Sequence, residues 1–225
     1  MLATPVIIVN YKTYERGYGD NALKLTQILE KVAEETGANI AVAVCPTDIR
    51  LIGQGSTLPI FAQHIDAIGF GSNTGYILPE ALFEAGAYGT LINHSEHKLR
   101  LADIEACVRR AHEVNLITCV CTNNLETSKA ASLLGPDFVA VEPPELIGGD
   151  ISVSKAQPEL VSGSVEAVKA VAPDVKVLCG AGVKNGEDVS KALELGAQGV
   201  LLASGVVKAE DVEAVMRDLV GGLGI

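Results

Sequence analysis

The chain has 225 residues, 48% hydrophobic and 20% charged, enough apolar side chain for a large core and little for disordered tails. Its formal net charge of −11 argues against nucleic acid or an acidic membrane surface as partner, so an anionic ligand would need a local Lys and backbone N–H groups. No apolar run approaches the ~18 residues of a membrane span, and no basic region precedes an apolar stretch at the start.

Short apolar runs alternate with amphipathic stretches along the chain. The runs lie at 6–9, 40–44, 60–62, 90–92, 116–121, 138–141, 176–179 and 200–203. They are rich in β-branched residues and bounded by turn residues, which predicts fully buried parallel strands. Between them, Leu23, Ile28, Leu29 and Val32 mark one helical stripe. Ile104, Val108 and Ala111 mark a second, and Val165, Val168, Lys169 and Val171 a third. The five Cys (45, 107, 119, 121, 179) are odd in number, form no C-x-x-C and sit mostly in apolar stretches. They read as reduced core residues of a cytosolic protein. Cys119 and Cys121 share a strand face by the period of two, but neither has a His or Cys partner nearby in sequence for a metal.

Eight strands, each followed by a helix or helix-like turn, predict an α/β fold: a single (β/α)8 barrel over residues 1–225, with shortened helical connections. An internal repeat agrees. Residues 84–91 read E-A-G-A-Y-G-T-L and residues 194–201 read E-L-G-A-Q-G-V-L, each a helix ending at Gly before a strand. The alternative is a doubly wound open sheet. It would want G-x-G-x-x-G after the first strand, where Asn10, Tyr11 and Lys12 stand instead.

A barrel carries its chemistry at the C-terminal strand ends. These read Asn10-Tyr11-Lys12 after the first strand, Gln63-His64 after the third and Asn93-His94-Ser95-Glu96 after the fourth. Glu142 follows the sixth, Cys179-Gly180-Ala181-Gly182 the seventh and Ala203-Ser204-Gly205 the eighth. Burial at the end of an apolar strand raises the pKa of Glu142, so that it serves as a base near neutral pH; the plain alternative is a solvated rim acid. Residues 143–149, stiff at Pro143 and Pro144 and loose at Gly148 and Gly149, read as a lid with Leu146 and Ile147 at its tip, or as an ordinary loop. Gly-rich turns after strands seven and eight, each opening a helix, suit a phosphate, although loop closure alone also favours Gly. Lys12 is a cation for an anionic substrate, a partner of Glu96, or both. His94 at the start of the next helix stays neutral there and donates a hydrogen bond to a carbonyl. A base, a neutral donor, a cation and a phosphate cradle together fit proton transfer beside a carbonyl through an enediolate, with no cofactor and no metal.

N-Y-K at 10–12, A-Q at 62–63, T-G at 74–75, N-H-S-E at 93–96 and V-E-P at 141–143, followed by the rest of the P-E-L-I-G-G lid, occur in this order. From Asn10 to Gly205 the chain resembles the triosephosphate isomerase family in its short archaeal form. The resemblance implies interconversion of dihydroxyacetone phosphate and D-glyceraldehyde 3-phosphate, in glycolysis and gluconeogenesis, in the cytoplasm. It implies Glu142 as base, His94 as electrophile, and Asn10, Tyr11 and Lys12 at the substrate, with Lys12 also stabilising developing negative charge. Ser95 would hold Glu142 at rest and Glu96 would pair with Lys12. Ile147, Gly148, Gly149, Gly182, Ala203 and Ser204 would contact the phosphate. A homotetramer built from dimers is implied as well, with Thr74 and Gly75 on a loop entering the neighbouring subunit.

Four positions depart from the commoner family pattern. Pro144 replaces an aromatic residue in the lid, C-G-A-G replaces a Ser-bearing turn, A-S-G replaces G-G, and His97 stands where Arg is common. Two other readings are a phosphosugar epimerase or an isomerase of tryptophan synthesis on the same barrel, and a non-catalytic phosphosugar-binding regulator. The first would want an acid/base pair or metal ligands at the strand ends; the second would be signalled by loss of Glu142 or Lys12.

Overall fold

The eight apolar runs form eight parallel strands that close into one ring in chain order. They are β1 (Val6–Asn10), β2 (Asn39–Val44), β3 (Ile60–Ala62), β4 (Gly89–Ile92), β5 (Ile117–Thr122), β6 (Phe138–Val141), β7 (Lys176–Cys179) and β8 (Gly199–Leu202). The computed structural model describes residues 2–143, 146 and 152–225. Helices cover the outside: α1 (Gly19–Thr36), α2 (Ile49–Gly55), α3 (Pro79–Ala85), α4 (Leu101–Glu113) and α5 (Leu125–Ser132) in the first part. Then come α6 (Val153–Ala156), α7 (Pro158–Val171), α8 (Gly186–Glu194), α9 (Ser204–Val207) and α10 (Val212–Gly221). Helices α2 and α3 have only seven residues each, so the connections are short as the sequence predicts.

The strands are apolar on both faces because both faces are covered. Val6, Ile8, Ala41, Ala43, Phe61, Leu91, Cys119, Cys121, Phe138, Ala140, Leu178 and Leu201 pack together inside the ring. Their alternate neighbours, such as Ile7, Val9, Ile40, Val42 and Val44, pack outward against the helices. Cys119 and Cys121 do share the inner face. All five Cys are free thiols, and all but Cys45 are buried.

Helix α4 buries the predicted stripe of Ile104, Val108 and Ala111, together with Cys107. Two other stripes are met in part. Helix α1 buries Leu25, Leu29 and Val32, while Leu23 is half-buried at its edge. Helix α7 buries Val161, Ser164, Val165 and Val168, leaving Lys169 exposed and Val171 half-buried. Leu29, Val32, Val165 and Val168 are buried as expected, and Ala22, Leu25, Val161 and Ser164 complete the inner faces.

The repeat is a pair of matching helix ends. Gly86 and Gly196 both sit in the left-handed region, at φ 103° and 93°. The Gly86 N–H donates to the Phe83 carbonyl and the Ala87 N–H to the Leu82 carbonyl; Gly196 donates to Leu193 and Ala197 to Ala192. This double cap turns the chain straight into β4 in one case and β8 in the other.

Candidate active site

The strand ladder fixes where the mouth residues stand. The Glu142 N–H donates to the Thr122 carbonyl at 2.7 Å and the Gly180 N–H to the Val141 carbonyl at 3.0 Å. Both residues therefore extend the ladder by one step past their strands. Gly180 is required to be small: a Cβ there would lie 2.4 Å from Glu142 Cγ. The turn that follows needs Gly182 in the left-handed region, at φ 69°.

A cleft opens over this mouth, and its lining includes Asn10, Lys12, His94, Glu142, Gly182, Ala203 and Ser204. The strand-end reading thus brings together seven of its predicted site residues. Glu142 is buried, with Oε1 3.7 Å from His94 Nε2. Burial pushes its carboxyl up to about 7, opposed by the Cys121 thiol, Lys12 and Lys98. His94 is also buried, and its pKa falls to about 4, first through burial and then through the charge of Lys12.

The cause of the neutral imidazole differs from the sequence reading. No helix begins at His94, for α4 starts seven residues later at Leu101. Instead the chain makes a tight turn, in which the His97 N–H donates to the His94 carbonyl at 2.8 Å. The Glu96 N–H donates to His94 Nδ1 at 3.2 Å. Nδ1 is thereby the acceptor, and the single proton of the neutral ring belongs on Nε2, facing Glu142.

Lys12 takes a left-handed backbone at φ 49°, unusual for a residue with a Cβ. Two side chains brace it. The Lys12 N–H donates to Asn10 Oδ1 at 3.0 Å, and Gln63 Nε2 donates to the Lys12 carbonyl at 2.9 Å and to Asn10 Oδ1 at 3.3 Å. The ammonium pairs with Glu96 at 2.7 Å, so Lys12 has its carboxylate partner as well as its place in the cleft.

Tyr11 is a correction. Expected at the substrate, it is fully buried on the outer side of β1, where its hydroxyl hydrogen-bonds Thr26 Oγ1 of α1 at 2.8 Å. The strand period of two explains this: Asn10 faces the mouth, so its neighbour faces the helices. Ser95 is half-buried and makes no hydrogen bond to Glu142, whose Oε2 has no partner among the described residues. The carboxylate points toward His94 instead. Ile147, Gly148 and Gly149, expected at the phosphate, lie outside the described residues, as do Pro144 and Glu145.

The Gly-rich turns also differ in their exits. The turn after β7 runs through Val183 to Asn185 before α8 begins at Gly186, capped by the Asn185 side chain. After β8 the chain forms only the four-residue α9, starting at Ser204.

Three residues at the mouth were not assigned a role from sequence. Gln63 stood in a quoted motif without a partner. Gly180 stood in a Gly-rich run, where its packing under Glu142 was invisible. Lys98 donates to the Asn93 carbonyl at 3.4 Å and to Asn123 Oδ1, tying the exits of β4 and β5 together. Asn93, itself left-handed at φ 61°, adds a bond from Nδ2 to the Cys121 carbonyl at 2.8 Å. No cluster of three or more His, Cys, Asp or Glu among the described residues is arranged to hold a metal.

A closed ring of eight parallel strands, with a buried acid, a neutral imidazole and a lysine at its C-terminal mouth, defines a (β/α)8-barrel enzyme. Residues 5–219 match the family described as triosephosphate isomerase. The chain belongs to the triosephosphate isomerase family, a family of isomerases. It is 56% identical over 215 residues to the triosephosphate isomerase of Methanocaldococcus jannaschii, covering 96% of this chain and 98% of that protein. It is 55% identical over 216 residues to the enzyme of Methanothermus fervidus, covering 96% and 97%. The fold resembles the crystal structure of triosephosphate isomerase from Bartonella henselae, with a TM-score of 0.74 at 20% identity, covering 95% of this chain and 98% of that one.

Proposed function

We propose that the barrel mouth carries the family's reaction, interconversion of dihydroxyacetone phosphate and D-glyceraldehyde 3-phosphate, by proton transfer through Glu142. The carboxylate removes a proton from the carbon beside the carbonyl. The Nε2–H of His94 donates to the carbonyl oxygen as it gains charge, and Lys12 balances the enediolate that results. Glu142 then returns its proton to the neighbouring carbon, and the hydroxyl proton of the enediol passes to the former carbonyl oxygen, which completes the isomerisation without a cofactor. Asn10 orients the substrate beside Lys12. Gly182, Ala203 and Ser204 receive the phosphate through their backbone N–H groups.

One observation carries this reading: two buried groups 3.7 Å apart are tuned in opposite directions, the acid up to about 7 and the imidazole down to about 4. Such a pair offers a base and a neutral donor at the same pH. The test is steady-state kinetics of Glu142→Gln and Glu142→Asp with glyceraldehyde 3-phosphate. Turnover of the Gln variant should fall by about 10²–10⁴, with KM changing little, because the base acts only in the transition state. A Gln variant with the parent's kcat would remove Glu142 from the mechanism.

Self-association belongs to the same reading. Phe70 and Tyr76 are 82% and 61% exposed on the loop that carries Thr74 and Gly75, apolar surface that suits a second copy. A homotetramer of dimers is the assembly proposed, to be measured by sedimentation equilibrium. No helix among the described residues is long and apolar enough to cross a membrane. Free thiols throughout the described residues fit a reducing compartment, here taken as the cytoplasm, with the reaction serving glycolysis and gluconeogenesis.

A further inference from the structure

Asp188 is a buried acid that the chemistry above does not use, 4% exposed in the first turn of α8. Its two oxygens collect donors from separate parts of the chain. Oδ1 accepts from the Ser152 hydroxyl at 2.9 Å and pairs with the Lys155 ammonium at 3.0 Å. Oδ2 accepts from the Lys184 backbone N–H at 3.0 Å. Its own N–H donates to the Asn185 cap, and its carbonyl accepts from the Ser154 hydroxyl at 3.3 Å.

Apart from the Asn185 cap, these partners belong to two segments. One is the Gly180–Lys184 turn, which walls the cleft beside Glu142. The other is Ser152–Ala156, where the Val153 N–H donates to the Ala181 carbonyl at 3.0 Å. Asp188 does not line the cleft itself, so any effect on a ligand must pass through the turn.

We propose that Asp188 is a positioning residue that locks the Gly180–Lys184 turn onto the Ser152–Ala156 segment and so fixes the backbone that receives the substrate phosphate. The inference rests on the reading of that turn as a phosphate wall. A carboxylate is needed because both oxygens must accept. An amide offers one acceptor, and its NH2 would then face either the Lys184 N–H or the Lys155 ammonium, donor against donor. Burying the acid disfavours its charge, but the Lys184 N–H, the Lys155 ammonium and the Ser152 hydroxyl together hold its pKa below the usual range. The carboxylate is therefore ionised at neutral pH, as the bridge requires.

The test compares Asp188→Asn and Ser152→Ala with the parent, using glycerol 3-phosphate as the probe in calorimetry and triose phosphate in kinetics. Loss of one bridging bond should weaken glycerol 3-phosphate binding about tenfold in Asp188→Asn and about threefold in Ser152→Ala. KM should rise in step while kcat falls less, since a phosphate contact serves substrate and transition state alike. A merely structural Asp188 would lower the melting temperature and leave the affinity of the folded variant within about twofold of the parent, and that result overturns the proposal. If Asp188→Asn does not fold, Ser152→Ala decides by the same criterion. A parent that fails to bind glycerol 3-phosphate overturns the phosphate-wall reading itself and the inference with it. A parent that binds, beside folded variants that bind equally well, overturns the inference alone.

Discussion

Replacing Glu142 by Gln should stabilise the free protein while disabling it, and the gain should depend on pH. Burial lifts the folded carboxyl from its ordinary 4.5 to about 7. Above about pH 4.5 the unfolded chain gives up this proton while the folded chain keeps it, so the parent loses stability as pH rises through that window. The loss is complete once the folded group has also ionised, above about pH 7. At about 1.4 kcal/mol for each tenfold change in proton affinity, its full size is about 3 kcal/mol. Gln cannot ionise in either state and escapes it. Urea unfolding followed by far-UV circular dichroism would measure the stability of both proteins at about pH 5, 6, 7 and 8. The advantage of Glu142→Gln should grow by about 2–3 kcal/mol across that range. His94, pushed down to about 4, is neutral throughout it and cancels from the difference. An advantage that stays constant from about pH 5 to 8 would refute the claim that burial raises the Glu142 pKa.

The same tuning sets the acid limb of activity: kcat/KM should fall about tenfold per pH unit below a midpoint near pH 7, and a profile flat down to about pH 5 would exclude Glu142 as the titrating base. Gly180→Ala should displace the base, since the added Cβ would lie 2.4 Å from Glu142 Cγ. A drop in kcat of about tenfold or more is expected with a smaller change in KM, and parental kinetics in that variant would show that the contact is relieved without moving the carboxylate.

The ring of strands was legible because a parallel barrel demands apolar side chains on both faces of every strand, and runs such as those at 138–141 and 200–203 could satisfy little else. The mouth was legible because polar residues at the ends of such runs have few other places to go. Tyr11 was misplaced by reading its motif as one unit, when the strand alternation separates it from Asn10 and Lys12. His94 was given the right charge for the wrong reason. Burial first, and then the charge of Lys12, supply what a helix end was expected to supply. Gln63 and Asp188 could not have been assigned from sequence at all. Their partners lie up to 53 and 36 residues away and meet only in the folded chain. Hydrophobic period reports which face of an element is covered; it says nothing about which distant donor meets which acceptor.

The matched helix ends at Gly86 and Gly196 stand before strands four places apart in a ring of eight, on opposite sides of the barrel. The same two capping bonds lead into both strands. Above them the likeness ends, for one strand exits into His94 and the other into Ala203 and Ser204. The underside is thus free to reuse one solution to the problem of starting a strand, whereas every exit must be unique. Architecture and chemistry occupy opposite poles of the same eight strands, so a change confined to one pole need not be paid for at the other.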